Sequence, residues 1–353
     1  MADDEFGAKV GEFIRHASGA RAVDVADLRR LTGGASRETW SLDATLHFAD
    51  RDDRLPLILQ RDTRGSPAAL PRPLEFRLIA AAYEAGVPVP PPVFLGDDSL
   101  GGSFFIVRRL DGETLPRRLL REDVYADARR LLPAQLGAAL AGIHRVDVAA
   151  NGLDALPAPP EGVAPAAFEL GRFEQIFRAI ALEPHPAFEL AFRWLGARLG
   201  AAAAHTPQQP PLPQGERGSR ERTLVHGDYR MGNMLFGPEG LRLVLDWELA
   251  HVGDPMEDLA WICVRSWRFG GAKPVGGIGE REAFFSAYEA AGGRHVDPEW
   301  VRWWEVFGNL RWGIICLSQA RTYIDGVSKS VELASIGRRT AETEWELLGL
   351  VDS

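Results

Sequence analysis

At 353 residues the chain is long for one compact core, so two lobes are expected, and a composition nearly half apolar and one quarter charged is that of an ordinary globular protein. The formal net charge of -9 argues against a nucleic-acid partner, whose affinity comes largely from Lys and Arg on phosphates, and suits a cationic ligand better. The acidic start has no apolar signal-like run, and no stretch reaches the roughly 18 apolar residues of a membrane span, so a soluble cytoplasmic protein without a membrane partner is expected.

Residues 1–30 carry helical patterning, with Val10, Phe13 and Ile14 at spacings of three and four. A glycine-bearing turn follows, Leu31-Thr32-Gly33-Gly34-Ala35-Ser36. Trp40, Leu42, Ala44, Leu46 and Phe48 then alternate with polar residues, which is strand periodicity; 51–54 reads as a hairpin turn and 55–60 as the returning strand. The segment PLEFRLIAAAYEAG (73–86) reads as a helix, with Pro near its start and Gly at its end. VPVPPPVFLG is too proline-rich for helix, and SFFIVRRL is a strand broken by Asp111-Gly112. This order suits a small α+β lobe.

After Gly112 the character changes to long helices. Residues 122–146 are expected to be mostly helical, with Pro133 starting a second piece whose apolar stripe is Leu136, Leu140 and Ile143, ahead of a packed His144. Residues 168–200 read as helical, and 206–222 as an exposed or disordered proline-rich loop. Short strands are expected at 223–225 and 241–245. Two helices then close the chain, one over 281–291 and a longer one that opens at Asp297-Pro298 and runs toward Tyr323. Trp300, Trp303, Trp304 and Trp312 on the longer helix read as core packing. Cys263 and Cys316, in the apolar stretches WICVRSW and GIICLSQ, read as buried reduced thiols.

The segment LVHGDYRMGNMLF (224–236) carries the chemistry. A short apolar strand runs into Asp228, Asn233 follows five residues later, and Asp246 ends the strand LRLVLD thirteen residues on. A tight loop and a neighbouring strand end can gather these three in one cleft. Phosphoryl transfer needs positioning and charge neutralisation more than covalent chemistry. One carboxylate must orient the attacking hydroxyl and take its proton. A second carboxylate and an amide oxygen are the hard ligands Mg²⁺ prefers. His226 reads as a structural hydrogen-bonding residue, Asp258 as an anchor for the loop, and Glu248 as facing either the cleft or solvent.

LTGGASRETW (31–40), LILQRD (57–62), LEFRLIAAAYEAGVPVP (74–90), FFIVRRLDG (104–112), ALAGIHRVD (139–147), HGDYRMGN (226–233) and LDWELAHVGDPMEDLAW (245–261) stand in order along almost the whole chain. Together they resemble the aminoglycoside phosphotransferase and choline kinase group, relatives of protein kinases, in the branch similar to the kinase-like domain of acyl-CoA dehydrogenase family members 10 and 11. The resemblance implies an α+β, two-lobed protein-kinase-like fold, with a nucleotide-binding lobe over 1–110 and a helical catalytic and substrate lobe over 111–353. It implies transfer of the γ-phosphate of ATP or GTP to a small-molecule hydroxyl, with Asp228 as base and Asn233 and Asp246 on Mg²⁺. Gly33, Gly34 and Ser36 match the nucleotide-covering loop, Glu75 the helix glutamate that pairs with the nucleotide-lobe cation, and Val107 and Arg109 the hinge beside the base. One departure stands out: the strand position where kinases place Lys falls at Gln60 or at Arg61. A catalytically silent nucleotide-binding protein is therefore the second reading.

Overall fold

In a computed structural model, which describes residues 2–31, 37–62, 70–204 and 222–352, the period-two segments of the N-terminal region form one antiparallel sheet. Its strands are β1 (Ala22–Leu31), β2 (Arg37–His47), β3 (Asp52–Asp62), β4 (Pro92–Leu95) and β5 (Phe104–Arg108), in the order β1-β2-β3-β5-β4. Trp40 pairs with Leu59 and Leu42 with Leu57, the hairpin expected from the alternation. Helix α1 (Ala2–Ser18) lays Val10 and Ile14 on the face that carries Trp40, Leu42, Leu57 and Leu59. Helix α2 (Arg72–Glu84) covers the opposite face, packing Leu74 and Leu78 with Phe105 and Val107.

The expected helix over 1–30 stops at Ser18, and its second half is β1. Val23 and Val25 alternate as a strand should, but the register with β2 shifts between Ala26 and Arg29, where Asp27 has φ 52°. That irregularity hides the period in the sequence.

The remainder is mainly helical: α3 (Pro116–Arg121), α4 (Ala126–His144), α5 (Pro165–Ile180), α6 (Pro186–Ala204), and, later, α7 (Met256–Trp261), α8 (Arg281–Ala290), α9 (Pro298–Ile324), α10 (Val331–Gly337) and α11 (Thr340–Asp352). Between α6 and α7 lie four short strands. β6 (Thr223–Val225) pairs with β9 (His251–Gly253), and β7 (Met234–Gly237) pairs with β8 (Gly240–Val244). Pro133 lies inside α4 and does not start a new helix; it is buried, packed near Gly279. The helical stretch 168–200 is two helices, parted by a turn holding Pro184 with Pro186 opening α6, since proline lacks the N–H a continuing helix needs. The sequence pattern does not announce α10 and α11, which pack on α9.

A large apolar core runs from α2 and the inner sheet face through α4 to α9, and a smaller one lies between α1 and the outer face. Trp303 and Trp304 are buried in the large core. Both cysteines are free and buried. Apart from Arg222, the loop expected over 206–222 falls outside the described residues. Among those described, no helix is long and apolar enough to cross a membrane.

Candidate active site

Strand β6 ends in a loop that turns at Gly227, whose φ is 79°. A Cβ there would lie 2.3 Å from the Leu249 carbonyl oxygen, so only glycine fits. The turn presents Asp228 to three donors. Asn233 Nδ2 reaches Oδ2 at 2.6 Å, Trp261 Nε1 reaches Oδ1 at 2.8 Å, and Arg230 Nε bonds both oxygens at 2.9 and 3.1 Å. The carboxylate is thereby held in one orientation. Arg230 also lies over the Trp267 ring at 4.7 Å. Because the amide nitrogen of Asn233 is engaged by Asp228, its Oδ1 is the end that can meet a cation.

His226 is structural, as expected. Its Nδ1 accepts from the Asp228 N–H at 3.2 Å and its Nε2 faces the Leu245 carbonyl at 3.1 Å, which selects the neutral ring protonated at Nε2. Burial pushes its pKa down, against the carboxylates of Asp258, Asp228 and Asp246. Asp258 anchors the loop: its oxygens accept the N–H groups of His226 at 2.7 Å and Gly227 at 2.9 Å. Burial would raise its pKa, but the bond and charge of His144 and the backbone of His226 bring it below the usual range. His144 is buried between Asp258 and the Tyr288 hydroxyl.

Asp246 follows β8 on the adjoining loop, tied to the first by a bond from the Leu245 N–H to the Asn233 carbonyl at 2.8 Å. Its φ of 63° is rare for a non-glycine residue, the kind of held strain that clusters at functional sites. Its side chain is 39 % exposed, whereas Asp228 is 13 % exposed, so Asp246 is the open carboxylate of the pair. Glu75, on α2, is buried and accepts from Arg37 at 3.1 Å and Arg72 at 2.9 Å. Arg37 Nη1 lies 3.7 Å from Asp246, and its Nη2 lies 2.6 Å from Glu248, which places Glu248 on the cleft side. Burial raises the pKa of Glu75 against the two guanidiniums; burial and the Asp246 charge raise that of Glu248.

The remaining expected residues divide. Gly33, Gly34 and Ser36 lie outside the described residues. Gln60 shares the inner sheet face with Ile58 and Asp62, the face packed by α2. Arg61 does not belong with it: adjacent strand residues face opposite ways, and Arg61 turns toward α1, bonded to Glu38 and the Leu100 carbonyl over the Phe6 ring. Val107 is buried on β5 beside Ile58. The Arg109 side chain folds back onto β2, at 2.7 Å from Ser41 and 2.6 Å from Asp43, and its N–H bonds the Pro56 carbonyl, so its side chain is not placed as a contact for a base.

The phosphotransferase enzyme family (APH) matches residues 27–304. The chain belongs to that family. Acyl-CoA dehydrogenase family member 10 of Mus musculus is 28 % identical over 259 residues, covering 72 % of this chain and 22 % of the mouse protein. The chain thus spans under a quarter of that relative. Among solved structures, a putative aminoglycoside phosphotransferase from Ralstonia eutropha JMP134 superposes with a TM-score of 0.69 at 22 % identity, covering 98 % of each chain. A thermostable mutant of aminoglycoside phosphotransferase APH(4)-Ia, in a ternary complex with AMP-PNP and hygromycin B, gives a TM-score of 0.55 at 18 % identity, again over 98 % of each chain. The two-lobed kinase-like fold expected from the motifs is the fold of this family member.

Sequence reasoning missed Arg37, Arg72, Arg230, Trp261 and Arg311. Arg311, on α9, bonds Glu257 at 2.6 Å and the Gly227 carbonyl at 3.1 Å and stacks 4.7 Å from the Trp261 ring, so it braces both the loop and its tryptophan. Arg230 stands two residues after Asp228 and Trp261 three after Asp258, close enough to the motif to be found there. Nothing near Arg311 in the sequence points to its role.

Proposed function

We propose that this chain transfers the γ-phosphate of ATP or GTP to a hydroxyl group of a small molecule. The observation that carries the reading is the Asp228 carboxylate, oriented by Arg230, Trp261 and Asn233 beside the open Asp246. Asp228 orients the acceptor hydroxyl and takes its proton as the new O–P bond forms and the bond from Pγ to the nucleoside diphosphate breaks. The donor set suits Mg²⁺: Asp246 offers a carboxylate and Asn233 an amide oxygen, both hard ligands. No group of three or more His, Cys, Asp or Glu among the described residues could hold an ion, so phosphate and water oxygens would complete the shell. When bound, the ion neutralises the charge of the phosphates. Residues 1–110 then serve as the nucleotide-binding lobe and 111–353 as the catalytic and substrate lobe. The AMP-PNP and hygromycin B of the APH(4)-Ia complex support a nucleotide and a small-molecule acceptor. The protein would act in the cytoplasm, without nucleic acid or membrane.

One observation favours a second reading, a nucleotide-binding protein without transfer activity: Gln60 brings no charge to the inner face of β3. Turnover separates the two. In a phosphate-transfer screen over aminoglycosides, choline-like amines, sugars and hydroxyacyl thioesters, Asp228→Ala is expected to lower kcat by about 10²–10⁴-fold with nucleotide Kd little changed. Transfer within a few-fold of wild type in Asp228→Ala would remove the base assignment. Nucleotide binding with no transfer to any acceptor favours the second reading.

A further inference from the structure

Thr39 is the cross-strand partner of Gln60, and Arg37 that of Asp62. Residues two apart on a strand share a face, so Arg37, Thr39, Gln60 and Asp62 line the same one. Arg37 stands diagonally across from Gln60, at roughly 7–8 Å, within reach of an arginine side chain. The inner face therefore does carry a cation near the expected position, but on β2.

The surroundings of Arg37 are those of a group held for a ligand. Its side chain is more than nine-tenths buried, at 9 % exposure. Glu75 fixes Nη1, and Asp246 and Glu248 stand on its cleft side. Among the described residues, Nε and Nη2 have no hydrogen-bond acceptor; Glu248 is 2.6 Å from Nη2 but off the line of its N–H groups. Buried donors left without acceptors are costly, and a guanidinium offers adjacent N–H groups that match a phosphate two at a time. The other buried cation of the cluster, Arg72, is engaged by Asp62 at 2.6 Å and Glu75 at 2.9 Å, and among the described residues it leaves one buried nitrogen, Nη2, without an acceptor where Arg37 leaves two.

We propose that Arg37 is the phosphate-binding cation of the nucleotide lobe, supplying from β2 the charge that Gln60 does not supply from β3. The assignment rests on the nucleotide-binding reading above. Glu75 positions the guanidinium, and Nε and Nη2 donate to phosphate oxygens of a nucleoside di- or triphosphate.

The test is calorimetric titration of the full chain with ADP and GDP against adenosine and guanosine, with no turnover required. Wild type is expected to bind a diphosphate more tightly than its nucleoside. Arg37→Gln should weaken diphosphate binding by about 10- to 100-fold and leave nucleoside binding within about twofold. Arg37→Lys, which keeps the charge and guards against a folding defect, should retain part of the affinity. Adding Gln60→Arg to Arg37→Gln should recover it. Unchanged diphosphate affinity in Arg37→Gln overturns the assignment, as does an equal loss for nucleosides, which would mark a structural role. If wild type binds neither class, the nucleotide reading fails, and the assignment with it.

Discussion

Gly227 shows how one residue shapes the loop that holds Asp228. Its left-handed φ, and a Leu249 carbonyl oxygen only 2.3 Å from where a Cβ would stand, leave no room for a side chain. Gly227→Ala should therefore lose about 2 kcal/mol or more, combining left-handed strain with a backbone clash. Urea unfolding of the purified variant measures it, and a loss below about 0.5 kcal/mol would mean that the 249–251 segment shifts freely. The grouping of Asp228, Asn233 and Asp246 was legible because they stand close in sequence, on a loop and a strand end, and are the residue types that the proposed phosphoryl transfer would use. Arg37 was not, because its place across from Asp62, diagonal to Gln60 and bonded to Glu75, depends on the β2–β3 register and on the packing of α2.

Close approach of two helices is an element-scale matter, and α4 meets α8 at Gly137. A Cβ at Gly137 would come 2.4 Å from the Phe284 carbonyl oxygen and 2.9 Å from the Tyr288 nitrogen. Alanine in a helix interior gains about 1 kcal/mol over glycine in propensity. Here overpacking against the α8 backbone should outweigh that gain, so Gly137→Ala is expected to be destabilising by about 1–3 kcal/mol in denaturant unfolding. A more stable variant would show that propensity wins at this crossing. The β2–β3 hairpin, α2 and the start of α9 were readable from alternation, proline placement and the Asp297 cap, which accepts the N–H groups of Glu299 at 3.0 Å and Trp300 at 3.3 Å. β1 was not, because its bulge breaks the period. α10 and α11 offer few buried apolar positions, with Leu347 the fully buried one, so they have no stripe to read.

Across the whole molecule, β9, α7 and α9 meet in a charged network at His251, Glu257 and Arg311. His251 faces Glu257 at 3.1 Å and the Leu249 carbonyl at 3.0 Å, so both ring nitrogens are best served as donors. Burial alone would lower its pKa, but the charge and bond of Glu257, with the carbonyl and the more distant Glu169, raise it to about 9. Burial likewise opposes the charged form of Glu257, yet His251 and Arg311 hold its pKa below the usual range. Because the folded pKa of His251 exceeds the unfolded value near 6.5, its contribution is full below about pH 6.5 and declines until it is gone above about pH 9. That contribution amounts to about 3 kcal/mol at most. The difference in unfolding free energy between wild type and His251→Gln should accordingly shrink as pH rises from 6.5 to 9.5; a difference independent of pH would refute the ion pair.

The kinase-like family, the small sheet lobe ahead of a helical one, and the loop from Asp228 to Asn233 followed by Asp246 could all be read from the amino-acid order. The family rests on the resemblance of motifs standing in order along almost the whole chain, whereas the sheet lobe and the loop are local and follow from period, turn residues and spacing within a few tens of residues. Folding in three dimensions was needed to establish that Gln60 and not Arg61 occupies the inner face, that Glu75 pairs with Arg37 and Arg72, and that Arg311 braces the turn at Gly227. Each depends on strand register or on contacts between residues distant in the chain or on separate elements, and a one-residue change of register would turn every strand side chain to the other face.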